Sequence, residues 1–193
     1  DLNPSRQDPG YEGVGQFYDL FARSDDLPFY LKYARECGSP VLDLAAGAGR
    51  VTIPLAEAGF RVTALEVSPS MLHELRRRLS LLPRDVARRV RIVEGDMREF
   101  SLGEKFSLIV VPGAFGHLMS TAEQLATLSC VRDHLRPGGV FILDLYPGAM
   151  MDERSQFADP AVVMPDGRRV SRSGKIECDM VAQTMKVSLT YII

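Results

Sequence analysis

Asp43 stands four residues ahead of Gly47 in Val41-Leu42-Asp43-Leu44-Ala45-Ala46-Gly47-Ala48-Gly49-Arg50, where an apolar run ends in two closely spaced glycines. Glycine has no Cβ, so such a turn can bend sharply and let a ligand approach the backbone. A helix starting directly after it would offer free N–H groups and a partial positive charge. A carboxylate this close to the turn suits a ligand bearing an ammonium group better than a pyrophosphate. The dinucleotide pattern Gly-x-Gly-x-x-Gly wants a third glycine, and Thr52 occupies that position. Taken alone the two glycines are weak evidence, since a plain strand-to-helix turn reads the same way.

Two more acids close later apolar runs. Glu66 ends Val62-Thr63-Ala64-Leu65-Glu66, where a carboxylate can accept from both hydroxyls of a ribose. Asp96 sits in Gly95-Asp96-Met97, by itself an ordinary turn dipeptide. Three acids at the ends of three successive strands are harder to dismiss, because ligands in open α/β sheets bind at the carboxyl ends. A fourth run ends in Val110-Val111-Pro112-Gly113-Ala114-Phe115-Gly116-His117-Leu118. His117 alone among three histidines falls in such a loop, where a near-neutral imidazole could take a proton from an amine or hydroxyl. His73 and His134 fall on expected helices and read as surface residues.

These segments resemble the class I S-adenosylmethionine-dependent methyltransferases. Val41–Arg50 matches their motif I, apolar-Asp-apolar-x-x-Gly-x-Gly, and Gly95-Asp96-Met97 matches the Gly-Asp-apolar turn common after the third strand. Tyr18-Asp19, Gly116-His117-Leu118 and Leu135-Arg136-Pro137-Gly138-Gly139 fall in the same order. From about Tyr11 to Tyr146 the chain is similar to the aminosugar N,N-dimethyltransferases and glycine N-methyltransferase. The resemblance implies a doubly wound, mostly parallel, Rossmann-like sheet. It implies S-adenosylmethionine as donor, S-adenosylhomocysteine as product, and methyl transfer to a nitrogen or oxygen of a small molecule by in-line displacement. It places Asp43, Ala45, Gly47, Gly49, Glu66, Val67, Met71, Asp96, Met97 and Val111 at the cofactor, with Met71 and Asp96 near the adenine. It makes His117 the base at the acceptor and Tyr18 a lid residue, with Tyr11 a second candidate. On the residues alone, Met71 reads as core, the tyrosines equally as helix packing and His117 equally as a structural loop residue. The fourth turn lacks the Asn/Asp-Pro-Pro-aromatic motif of amide and nucleobase methylation.

The elements that must hold these residues alternate in period. Val41–Leu44, Val62–Glu66, Val90–Glu94, Ser107–Val111 and Val140–Leu145 are short apolar runs suited to strands covered on both faces. Helices are expected over Val51–Glu57, over Pro69–Leu79 behind the N-cap Ser68, and over Thr121–Leu135, which Pro137-Gly138-Gly139 stops. One or two more are expected within Phe17–Cys37, and a helix or loop near Phe100–Lys105. The expected organisation is a helical lid over 1–38, a core over 39–146 and an antiparallel unit over 147–193 covering the active site. Asp166-Gly167 marks a hairpin there, with strands over Arg169–Ser173, Lys175–Asp179 and Met185–Ile193. Its exposed edge offers pairing between two subunits.

Composition narrows the class. The 193 residues carry a net charge of -2, which argues against a general nucleic-acid binder. Arg76, Arg77, Arg78, Arg84, Arg88, Arg89 and Arg91 cluster without interleaved aromatics and read as a solvated face. No run approaches the roughly 18 apolar residues of a membrane span. Cys37, Cys130 and Cys178 form no Cys-x-x-Cys pair, so no metal site and a cytoplasmic location are expected. Asp152, Glu153, Asp159 and Asp179 show no metal-ligand spacing. The start at Asp1-Leu2-Asn3-Pro4 lacks a signal-peptide pattern, and the last residues read as an unfinished strand, so truncation is expected. Two rivals remain at this level: a nicotinamide-dependent oxidoreductase, and a non-catalytic module that binds S-adenosylmethionine.

Overall fold

The computed structural model describes residues 13–22, 24–145, 154–164 and 166–193. Tyr11, Tyr146, Asp152, Glu153 and Pro165 lie outside them.

Five runs form a parallel sheet: β1 (Val41–Leu44), β2 (Val62–Glu66), β3 (Val90–Glu94), β4 (Phe106–Val111) and β5 (Leu135–Leu143). Their order is β3-β2-β1-β4-β5. Because β1 pairs with both β2 and β4, the sheet reverses its winding there, and a crevice is expected beyond the ends of those strands. Alternation along β1 splits the core between two faces. Leu42 and Leu44 join Leu65, Phe106, Ile109 and Val111 on one. Val41 joins Tyr30, Val51, Leu55 and Val62 on the other. β1 and β2 are buried at every residue, which explains why they are mostly apolar without a polar face; Asp43, Thr63 and Glu66 are the polar exceptions.

Helices cross between the strands: α1 (Gly15–Tyr18), α2 (Leu27–Cys37), α3 (Thr52–Glu57), α4 (Pro69–Ser80), α5 (Arg84–Ala87) and α6 (Thr121–His134). Ser68 caps α4 by accepting from Met71 N–H, and Ser120 with Glu123 closes a capping box on α6. The N-terminal helical region holds α1, a 3-10 turn over Asp19–Phe21, and α2. Phe100–Lys105 is loop. No helix among the described residues is long and apolar enough to cross a membrane.

β5 begins five residues before the expected Val140 and ends at Leu143. Leu135 pairs with Phe106 and Val140 with Leu108, so residues 136–139 swell out between the two pairings. The expected turn survives as this irregularity inside a strand. Pro137 is tolerated because it falls in this irregularity, where the β4–β5 ladder is interrupted.

Contacts divide the chain into a unit over 1–144 and a second over 145–193. The second unit is antiparallel: β6 (Arg154–Ala158), β7 (Val162–Val163), β8 (Arg169–Asp179) and β9 (Thr184–Ile192). Met164 N–H donates to Arg168 O and Gly167 N–H to Met164 O, which makes the expected hairpin at Asp166-Gly167. The two strands expected over Arg169–Ser173 and Lys175–Asp179 are one, β8, which pairs with β9 along nine residue pairs from Ser171 to Asp179. Gly174 permits this by lying under the Phe157 ring, where a Cβ would stand 2.4 Å from two ring carbons.

Candidate active site

The turn after β1 takes three left-handed steps, with φ of 54° at Ala45, 56° at Gly47 and 91° at Gly49. The two glycines have different reasons. A Cβ on Gly49 would stand 2.5 Å from Leu75 Cδ1, so this glycine lets the turn pack on α4. A Cβ on Gly47 would meet nothing within 4 Å among the described residues, which leaves space beside it. From α4, Arg78 Nη1 donates to Ala48 O at 2.9 Å and fastens the turn between the glycines. Arg89 likewise reaches Ala56 O at 3.3 Å. Two of the seven clustered arginines therefore serve the fold rather than a solvated face, because long side chains carry donors to carbonyls the local pattern does not show.

Asp43 is 1% exposed, beneath the turn. Its Oδ2 accepts from Thr52 Oγ1 at 2.6 Å, while Oδ1 is buried without a hydrogen-bond partner among the described residues. Burial pushes its pKa up to about 7; the Thr52 hydroxyl and the Arg50 charge lower it, and Glu66 raises it. Thr52, noted in the sequence only as a missing glycine, is thus the direct partner of the first acid. α3 is six residues long and is entered through the turn that holds Gly47 and Gly49.

Glu66 is 6% exposed and held by three backbone donors. Gly47 N–H reaches Oε2 at 2.8 Å, and Val67 and Ser68 N–H reach Oε1 at 2.9 and 2.8 Å. A carboxylate has about four acceptor sites, so capacity for a ligand hydroxyl remains. Val67 is 41% exposed at the mouth of this arrangement. Met71, 3% exposed, and Val111, fully buried, have side chains in the core; a contribution from Val111 would come through its backbone.

Asp96 is gripped by Arg98, whose Nε and Nη2 both reach its carboxylate, while Arg98 Nη1 reaches Glu123 on α6. The sequence placed Asp96 near a base but missed this clamp, which spans the end of β3 and the start of α6. Met97 is half-buried against the Leu42–Phe106 core. His117 ends a 3-10 turn over Phe115–His117 after β4. Its side chain is exposed, yet atoms around it desolvate the ring and hold its pKa below the usual value, with the Glu66 charge pulling the other way. Asp144, just after β5, accepts from Gly113 N–H and so ties the His117 loop to the neighbouring strand. Tyr18 is half-buried on α1, which approaches α4 so closely that a Cβ on Gly15 would stand 2.9 Å from Ser70 O.

His73 is exposed as expected, but His134 is 7% exposed. Its Nε2 accepts from Leu102 N–H at 3.0 Å, its Nδ1 lies 2.7 Å from Cys130 O, and its ring packs tilted against Phe100 with centroids 4.6 Å apart. It is a structural residue that fastens the 100–105 loop. A shallow groove lined by Lys105, Leu128, Val131, Leu135 and Phe141 lies near the starts of β4 and β5, at the opposite end from Asp43.

Asp43, Glu66, the open Gly47 turn and the β3 turn lie at the carboxyl ends of β1, β2 and β3, where open α/β sheets bind their ligands. Residues 41–139 match the family model described as a methyltransferase domain, and the chain belongs to that family of S-adenosylmethionine-dependent methyltransferases. The chain is 30% identical over 180 residues to dTDP-3-amino-3,4,6-trideoxy-alpha-D-glucopyranose N,N-dimethyltransferase of Streptomyces venezuelae, covering 92% of this chain and 71% of the relative. It is 33% identical to dTDP-3-amino-3,6-dideoxy-alpha-D-glucopyranose N,N-dimethyltransferase of Streptomyces fradiae, covering 69% of this chain but 49% of that relative. The glycopeptide N-methyltransferase MtfA, solved with S-adenosylmethionine, superposes with a TM-score of 0.62 at 29% identity, covering 86% of this chain and 75% of MtfA. Nothing favours the nicotinamide alternative, since Thr52 fills the third-glycine position with a buried hydroxyl bonded to Asp43.

Two observations fit the chain's residues to S-adenosylmethionine. The orphaned Oδ1 of Asp43 suits an ammonium donor, and the open space at Gly47 beside Glu66 suits a ribose.

Proposed function

We propose that this chain methylates an amine nitrogen of a small, sugar-like acceptor, with S-adenosylmethionine held at the ends of β1, β2 and β3. The observation that carries the reading is the junction of Asp43, Gly47 and Glu66, in which one turn is flanked by two buried acids. When bound, the cofactor supplies a methyl group on a positively charged sulfur that is already a good leaving group. The chain's own task is then mainly to place two reactants, a contribution on the order of 7–11 kcal/mol.

Asp43 offers Oδ1 to the ammonium, and Glu66, fixed by its backbone donors, offers acceptor capacity to the ribose hydroxyls. Asp96 and Met97 border the base. His117, kept neutral by its lowered pKa, accepts the proton that the acceptor amine must shed at a ring nitrogen. Tyr18 closes the cofactor side from α1. The activities for which the two aminosugar relatives are named support an amine acceptor on a sugar nucleotide. The outer edge of β9, which pairs only with β8 among the described strands, is our candidate for pairing between two copies.

Calorimetry tests the cofactor half of the reading. Saturable binding of S-adenosylhomocysteine with no response to NAD is expected, and the reverse would establish a nicotinamide enzyme.

A further inference from the structure

Buried hydroxyls and carboxylates rarely face one another without consequence, because each must find a partner and each choice constrains the other. Thr52 is fully buried and Asp43 is 1% exposed. The hydroxyl donates to Oδ2 at 2.6 Å, within the short range of a charge-assisted O–H···O bond. That bond fixes the carboxylate's rotation and occupies one oxygen, while Oδ1 keeps its capacity.

We infer that Thr52 is the positioning residue for Asp43, holding one oxygen so that the other accepts from the ammonium of the cofactor's amino-acid portion. The inference rests on the cofactor reading above. A glycine in its place, as in the dinucleotide pattern, would leave the carboxylate free to turn and without its donor. The hydroxyl also favours the anion over the acid. The charged or titratable groups that act on Asp43 are Arg50, which favours ionisation, and Glu66, which opposes it; Tyr30 on α2 also lies within range of its charge. Burial pushes the Asp43 carboxyl up to about 7, so its midpoint lies where ionisation responds to pH near neutrality. Moving that midpoint up by one unit would cut the ionised fraction roughly fivefold.

The test is calorimetric titration from pH 6 to pH 9 with two probes: S-adenosylhomocysteine, and 5′-methylthioadenosine, which lacks the amino-acid portion. For the unmodified chain, S-adenosylhomocysteine affinity should rise through pH 7 while 5′-methylthioadenosine stays flat. Thr52→Val should weaken S-adenosylhomocysteine roughly fivefold at pH 7, recover by pH 9, and leave the other probe unchanged; Thr52→Ser should follow the unmodified profile. Parallel loss of both probes in Thr52→Val, or an unchanged pH midpoint, would show a merely structural threonine and overturn the inference while the cofactor reading stands. Should Thr52→Val fail to fold by circular dichroism, a flat S-adenosylhomocysteine profile in the unmodified chain overturns it instead. No binding of S-adenosylhomocysteine at any pH overturns both.

Discussion

Gly47 N–H donates to Glu66 Oε2 across 2.8 Å, so the turn after β1 and the end of β2 are held as one piece. Hydrogen bonds to a charged acceptor contribute about 1.5–3 kcal/mol each, and Glu66 takes three from the backbone. Glu66→Ala should therefore loosen the turn and weaken both S-adenosylhomocysteine and 5′-methylthioadenosine by at least roughly tenfold. Calorimetry with the two ligands checks this; loss confined to S-adenosylhomocysteine would place Glu66 at the amino-acid end.

The two glycines of the turn should respond differently to the same change. Gly49→Ala drives a Cβ to 2.5 Å from Leu75 Cδ1 at a φ of 91°, and should cost about 2–4 kcal/mol in urea unfolding. Gly47→Ala carries only the backbone cost of roughly 1–2 kcal/mol, since none of the described residues would lie within 4 Å of the new Cβ. Its main effect should be loss of cofactor binding, because the new methyl enters the space assigned to the ligand.

Asp43 makes the fold sensitive to pH. Its carboxyl is raised to about 7 in the folded chain, against roughly 3.9 unfolded, so the folded state holds the proton more tightly between those values. Stability from this group is greatest below about pH 4 and falls as pH climbs toward 7, by an amount on the order of a few kcal/mol. Asp43→Asn should remove that slope. In urea unfolding at pH 5 and pH 8 the variant should gain on the unmodified chain at the higher pH, while calorimetry shows cofactor affinity lost. An unchanged slope would mean that Asp43 is not buried as an acid.

His117→Ala should lower kcat by roughly 10²–10⁴-fold and leave S-adenosylhomocysteine affinity nearly intact. Because desolvation lowers the imidazole pKa, the neutral base persists below the ordinary histidine range. The acid limb of kcat should lie there and vanish in the variant. A limb that survives the substitution would assign it to another group.

The strands were legible where the physics is local. β1, β2 and β3 match their expected bounds, and β4 differs only by Phe106; for β1 and β2 the reason is burial at every residue, which keeps them mostly apolar. The glycine turn and the three acids were legible because their spacing follows from strand, turn and helix geometry. What escaped depends on partners distant in sequence or on segments too short to show a period. His134 reads as a helix surface residue until Leu102 is brought to its Nε2. The clamp of Arg98 on Asp96 and Glu123, and the reach of Arg78 to Ala48, belong to the same kind. α5 is four residues long, and β6, Arg-Ser-Gln-Phe-Ala, has little apolar alternation. Thr52 was seen only as an exception to a glycine pattern, because no rule of spacing pairs it with Asp43.

Transfer of an isotopically labelled methyl group from S-adenosylmethionine to a panel of sugar nucleotides, with the labelled atom located by NMR, decides whether the chain methylates an amine. Label is expected on the amine nitrogen of an aminosugar, with unlabelled S-adenosylhomocysteine formed in equal amount. Label on hydroxyl oxygen alone, or no transfer to any amine or alcohol while the cofactor is demonstrably bound, would contradict it.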